Sequence, residues 1–217
     1  MSEAGALENF IDKWRARWPE WSVAEVFVPP SQRSTALAWF ALLQELTDAA
    51  WGGDDSTPGL AKLAWWQEEL QGWSQGRRRH PLGTALQSQP APWDALSVAL
   101  TELRSVRVLP RGIDDGLVGM RAFAESVVEV EAELFGTSDS LASATVAATL
   151  LAMHPGLLQA DNAPLRTALL SQWPAAHGPR LRRIVAALAR VRLESDAPSR
   201  PLSRWRTLWL AWCAARD

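Results

Sequence analysis

Carboxylates are the side chains of this chain whose spacing could do chemistry, and each set also has a plainer structural reading. Glu125, Glu129 and Glu133 recur every four residues and would share one helical face, as a cation site requires. A solvated face has the same spacing, and nothing nearby in the sequence completes a coordination shell. Asp54-Asp55 and Asp114-Asp115 are acidic pairs beside Gly, Ser or Pro, where Asp caps a helix and complements its dipole. Asp48 stands alone, and one carboxylate seldom fixes Mg²⁺ without substrate phosphates. His80, His154 and His177 are far apart and Cys213 is the only cysteine, so there is neither a zinc-ligand spacing nor an internal disulfide. The chain has no Gly-x-Ser-x-Gly elbow and no Gly-x-x-x-x-Gly-Lys phosphate loop.

The element that must position Asp48 is a long helix. In FVPPSQRSTALAWFALLQELTDAAW, Phe27 to Trp51, Pro29 and Pro30 end an extended approach and Ser31 is placed to cap. The next twenty residues contain no Gly or Pro. A second helix follows in KLAWWQEELQGWSQGRRRHPLGTAL, Lys62 to Leu86, where Leu63, Trp66, Leu70 and Trp73 keep the spacing of one buried face.

Together these blocks resemble the squalene/phytoene synthase family over about 60 residues, from Phe27 to Leu86. Family members carry a Leu-Pro-Pro lead-in, an Arg-containing helix that ends in an aspartate-rich motif, and a following helix that reads Lys-Leu-Ala-Trp-Trp. The resemblance implies that the first helix presents a Tyr, an Arg and an Asp-Asp-x-x-Asp motif to a central cavity, where the carboxylates hold Mg²⁺ against a prenyl diphosphate. This chain departs from that pattern: Phe40 stands at the Tyr position, Gln44 at the Arg position, and Thr47, Asp48, Ala49, Ala50 and Trp51 replace the motif. Positions 40, 44, 47 and 51 lie in one stripe, which the resemblance places on the cavity wall. LPRGIDDGLVGMRAF, Leu109 to Phe123, is similar to the family's Gly-Met-x-x-Asp helix, with Phe123 at the Asp position. No Asp-x-x-x-Asp occurs anywhere, so against the family pattern the second metal site is expected to be absent and the C-terminal half shortened.

Thr47 and Trp51 are poor substitutes for Mg²⁺ ligands, and Gln44 cannot neutralise a leaving diphosphate as Arg would. The resemblance and these losses imply a squalene/phytoene synthase-like protein without prenyl-transfer activity, serving as an apolar-ligand-binding protein or an assembly partner; the family includes non-enzymatic members that assist membrane-complex assembly. Its ligand-binding residues are then Phe40, Gln44, Thr47, Asp48 and Trp51, with Asp48 the one remnant catalytic candidate and no metal ligands. The alternative is a head-to-head prenyltransferase acting on prenyl diphosphates with an altered Mg²⁺ site, using Asp48 and the Glu125, Glu129, Glu133 face. A third reading is a subunit that works beside an intact synthase-like chain. No cofactor is expected on the first reading, and Mg²⁺ on the second.

Composition bounds the rest. The chain has 217 residues, 47% of them hydrophobic and 21% charged, which suits a single domain with a substantial core. It has thirteen Trp and no Tyr; most of the Trp are expected in the core. A net charge of -2 exerts no pull toward nucleic acid, and the basic clusters at Arg77, Arg78 and Arg79 and at Arg180, Arg182, Arg183, Arg190 and Arg192 read as solvated surface. The acidic start MSEAGALENF reads as no signal peptide, and no window is long and apolar enough to span a bilayer. These features suit a cytoplasmic protein. WRTLWLAWCAARD, Trp205 to Asp217, puts Trp205, Leu208, Trp209 and Trp212 on one face, expected to dock on the domain, with peripheral membrane contact as the alternative.

Helices are expected near 6 to 18, 31 to 51, 59 to 75, 93 to 106, 113 to 135, 139 to 153, 163 to 172, 179 to 194 and 202 to 215, with no convincing strand. Gly- or Pro-punctuated breaks separate them, none long enough for a domain linker. The expected fold is all-α: one domain, 1 to 217, a helical bundle of the isoprenoid (terpenoid) synthase type shortened in its C-terminal half.

Overall fold

The computed structural model describes residues 3–137, 139–195, 197–198 and 200–216. Twelve α-helices run through these residues: α1 Glu3–Arg17, α2 Trp21–Ala24, α3 Arg33–Trp51, α4 Ser56–Ser74, α5 Gly83–Leu86, α6 Trp93–Ser105, α7 Ile113–Gly119, α8 Arg121–Phe135, α9 Ala142–Ala152, α10 Ala163–Ser171, α11 Arg180–Glu194 and α12 Arg204–Arg216. No strand occurs among them, so the chain is the all-α bundle its periodicity predicts. The helices pack in series, α1 on α3, α3 on α4, α4 on α6, α6 on α8, α8 on α9, α9 on α11 and α11 on α12, which returns to α2.

At the centre is α3. It is buried on nearly every side, from Ala36 through Thr47 without interruption, because its sequence is apolar all round rather than along one stripe. Its C-terminal end is held from outside: the Arg107 guanidinium donates to the carbonyls of Ala50 at 2.7 Å, Gly52 at 3.0 Å and Gly53 at 2.8 Å. Gly59 lets α4 pass close by, since a Cβ there would lie 2.4 Å from the Ala49 carbonyl.

Asp55 caps α4 as expected, accepting from the Thr57 amide at 2.8 Å. Leu63, Trp66, Leu70 and Trp73 are buried along α4. Eight tryptophans lie in the core, Trp14, Trp18, Trp21, Trp39, Trp51, Trp66, Trp73 and Trp93, so most are core residues.

Four expectations need correction. Ser31 does not cap α3; Pro30–Gln32 form a 3₁₀ turn and the helix starts at Arg33 without a side-chain cap. Residues 113–135 are two helices, not one, broken at buried Met120. Gly116 and Gly119 weaken α7, and a Cβ at Gly119 would meet Val106 Cγ1 at 2.9 Å, so the chain bends where a neighbouring turn crowds it. Asp114 and Asp115 sit in the first turn of α7 behind Gly112 at the cap, so they complement the dipole instead of capping. The C-terminal stripe does not dock: α12 buries Thr207, Ala211 and Ala214, and leaves Trp205, Trp209 and Trp212 in solvent.

Candidate ligand cavity

All five residues of the predicted ligand set, Phe40, Gln44, Thr47, Asp48 and Trp51, line one cavity of about 370 Å³. They meet there because spacings of three and four residues keep them on one flank of α3. The opposite walls are Trp14, Arg17 and Trp18 from the end of α1, Leu150 and Met153 at the end of α9, and Arg182, Val185, Ala189 and Arg192 along α11. The size falls in the lower part of the range for small-molecule sites, and most of the lining is apolar.

The aromatic walls are rigid. Trp14 stacks on Phe40 with centroids 5.4 Å apart and planes 11° from parallel, and Trp21 meets the same ring edge-on at 5.5 Å. Trp51 donates from Nε1 to the Leu103 carbonyl at 3.2 Å and lies against His154, 4.8 Å between centroids. His154 in turn donates from Nε2 to the Val106 carbonyl at 3.1 Å and accepts the Gly156 amide on Nδ1 at 3.0 Å. Both ring nitrogens are therefore used in the neutral form, and burial pushes the imidazole's pKa below its usual value. Anchored in this way, Trp51 bounds the cavity without collapsing into it.

The polar groups on the wall divide into satisfied and unsatisfied. Arg182 is buried and pairs with buried Glu131, which also accepts from Trp39 Nε1 at 2.8 Å. Arg192 pairs with buried Glu20, donates from Nη1 to the Arg17 carbonyl at 3.0 Å and lies over the Trp18 ring at 4.3 Å. These two arginines overturn the reading of the 180–192 cluster as solvated surface; Arg180 and Arg190 are exposed and Arg183 is half-buried. Asp48 pairs with Arg17 at 2.7 Å and reaches Lys13 at 3.4 Å. Thr47 donates its hydroxyl back to the Leu43 carbonyl at 2.9 Å. Gln44 differs: its side chain is buried, and Oε1 has no hydrogen-bond partner among the described residues.

Mg²⁺ does not fit this donor set. Asp48 is the only carboxylate on the wall and is already matched by two cations, and among the described residues no three His, Cys, Asp or Glu gather as metal ligands. Glu125, Glu129 and Glu133 are solvent-exposed on the far side of α8, along an open groove with Pro90 and Ser143, away from the α3 stripe.

Arg182, Arg192 and their partners Glu131 and Glu20 are the site residues that motif reasoning missed. The signal was in helical phase: Arg182, Val185, Ala189 and Arg192 follow a 3-4-3 spacing, and Glu131 shares a face with Val127, so each charge falls within an apolar stripe. Charges there are buried, and buried charges need partners.

The fold and cavity define a helical-bundle protein with a partly open, largely apolar site. The chain matches no family profile, no curated protein and no solved structure. Among the described residues no helix is long and apolar enough to cross a membrane.

Proposed function

We propose that this chain is a squalene/phytoene synthase-like protein of the isoprenoid synthase type that no longer transfers prenyl groups and instead holds an apolar ligand in the α1, α3, α11 cavity. The observation that carries the reading is Gln44, a buried carboxamide without a partner in a mostly apolar cavity. Leaving such a group unpaired costs about 1–3 kcal/mol, which a ligand with one neutral polar end, such as a hydroxyl, would recover once the carboxamide turns that oxygen toward the cavity. A diphosphate is disfavoured. Arg17, Arg182 and Arg192, the cations on the wall, are each matched to a carboxylate, so no positive charge is left to hold one.

Isothermal titration with farnesol and, separately, with farnesyl diphosphate plus Mg²⁺ tests this, alongside an assay for pyrophosphate release. Farnesol is expected to bind, weakly or not at all in Gln44→Leu, with no turnover of the diphosphate. Pyrophosphate release that disappears in Asp48→Ala would overturn the reading in favour of a prenyltransferase.

A further inference from the structure

In the C-terminal helix the usual arrangement is inverted, with small residues facing inward and tryptophans outward. Thr207, Ala211 and Ala214 face the protein, where α12 packs on α11 and α2. Trp205 is 82% exposed, Trp209 62% and Trp212 39%. At about 100° per residue, these three and Arg216 fall within an arc of about 60°, and Arg204 and Arg206 lie on either side of it. The Arg216 guanidinium rests over Trp212, 4.5 Å from the ring centroid, and Trp209 leans on Trp212 at 5.2 Å.

The charge on this face is one-sided. The chain as a whole is -2, yet α12 carries three arginines and no carboxylate. No described carboxylate lies within ion-pair reach of Arg204, Arg206 or Arg216, while the arginines of the cavity wall are all paired. The turn 25–27 that packs against α12 adds another exposed apolar side chain, Val26, and Arg180 donates to the Phe27 carbonyl beside it at 3.4 Å.

We infer that α12 is an interfacial helix that seats the protein on an anionic lipid surface. Trp205, Trp209 and Trp212 enter the headgroup region, where an indole keeps its ring in apolar surroundings and its N–H in water. Arg204 and Arg206 flank that stripe at the depth of the lipid phosphates, and Arg216 extends it. A protein partner would leave three arginines to be paired by acidic residues within a small footprint, whereas an anionic bilayer supplies phosphates in any direction. The inference rests on the outer face of α12 and does not depend on what fills the cavity.

Vesicle flotation of the full chain tests it, with phosphatidylcholine alone and with phosphatidylcholine containing phosphatidylglycerol. The chain is expected to float with the anionic vesicles and to be released by raised salt. Arg204→Gln and Arg206→Gln should each weaken partitioning by about fivefold. The triple variant Trp205→Ser, Trp209→Ser, Trp212→Ser should lose flotation while keeping its circular dichroism and melting temperature. Absence of flotation with anionic vesicles, or equal flotation with neutral ones, overturns the proposal. So does a concentration-dependent dimer that the triple variant abolishes without any vesicle binding, which would make the face an interface between two copies.

Discussion

The cavity wall and the outer face of α12 are built from the same two residue types in opposite states. On the wall, Trp14, Trp18 and Trp51 are buried, and Arg182 and Arg192 are locked to Glu131 and Glu20. On α12, Trp205, Trp209 and Trp212 face solvent, and Arg204, Arg206 and Arg216 have no described carboxylate in reach. The two arginines that this fold buries are thus each met by a buried carboxylate from a distant part of the chain, because a buried guanidinium without one is strongly destabilising. Tryptophan follows helical phase: α12 turns Thr207, Ala211 and Ala214 toward the protein, so Trp205, Trp209 and Trp212 fall on the outer side.

The sharpest way to break this contrast is to remove a buried partner. Glu131→Gln leaves Arg182 buried with its charge uncompensated and should cost about 3–5 kcal/mol by urea denaturation. Adding Arg182→Met in the same chain should recover a large part of that loss, and failure to recover it would show that Glu131 acts mainly through Trp39.

A second test is pH. His80 is pushed down to about 4 by burial, opposed by the charges of Glu45 and Glu69 and assisted by Lys62, while Glu45 itself lies below the ordinary range because Lys13 and Lys62 outweigh its burial. A histidine with a depressed folded value stabilises the fold above pH 6.5, and that contribution is lost as pH falls toward 4, since the unfolded chain takes up the proton first. Denaturation midpoints should therefore drop across this window, by about 1–2 kcal/mol for His80 after allowance for its partial exposure. His80→Phe should flatten that part of the curve.

Gln44→Leu goes in the opposite direction. It removes an unpaired buried carboxamide and should stabilise the ligand-free protein by about 1 kcal/mol while weakening capture of an alcohol. Asp48→Asn should change stability by less than about 1 kcal/mol, because its pairs with Arg17 and Lys13 are at the surface. Trp209→Ser should leave thermal stability within about 0.5 kcal/mol, since that ring is mostly in solvent and leans on Trp212. A large loss there would show that the outer face of α12 is part of the core.

Much of the architecture was legible in the residues. The 3.6-residue periodicity predicted the long helices, Gly and Pro marked their ends, and Asp55 announced the cap of α4. Spacings of four, three and four carried Phe40, Gln44, Thr47 and Trp51 onto one flank of α3, and that flank borders the cavity. Local spacing decides such relations, since a helix fixes which of its own residues share a face. On α8 the regular repeat of glutamates pointed to the wrong ones, and only the helical phase that Glu131 shares with Val127 marked it as buried. Glu125, Glu129 and Glu133 repeat regularly and are solvated, whereas Glu131 is the one that meets Arg182 across 51 residues of sequence.

By itself, then, the sequence determined the helices, which residues share a face, and that positions 40, 44, 47 and 51 of the α3 stripe carry no carboxylate, because each depends on neighbours a few residues away. Only the tertiary structure decided which arginines are interior and paired, that Gln44 is left without a partner inside a cavity, and that the tryptophans of α12 point outward. Those outcomes depend on how helices distant in sequence pack, and on whether a charge or an indole finds its complement across the gap between them.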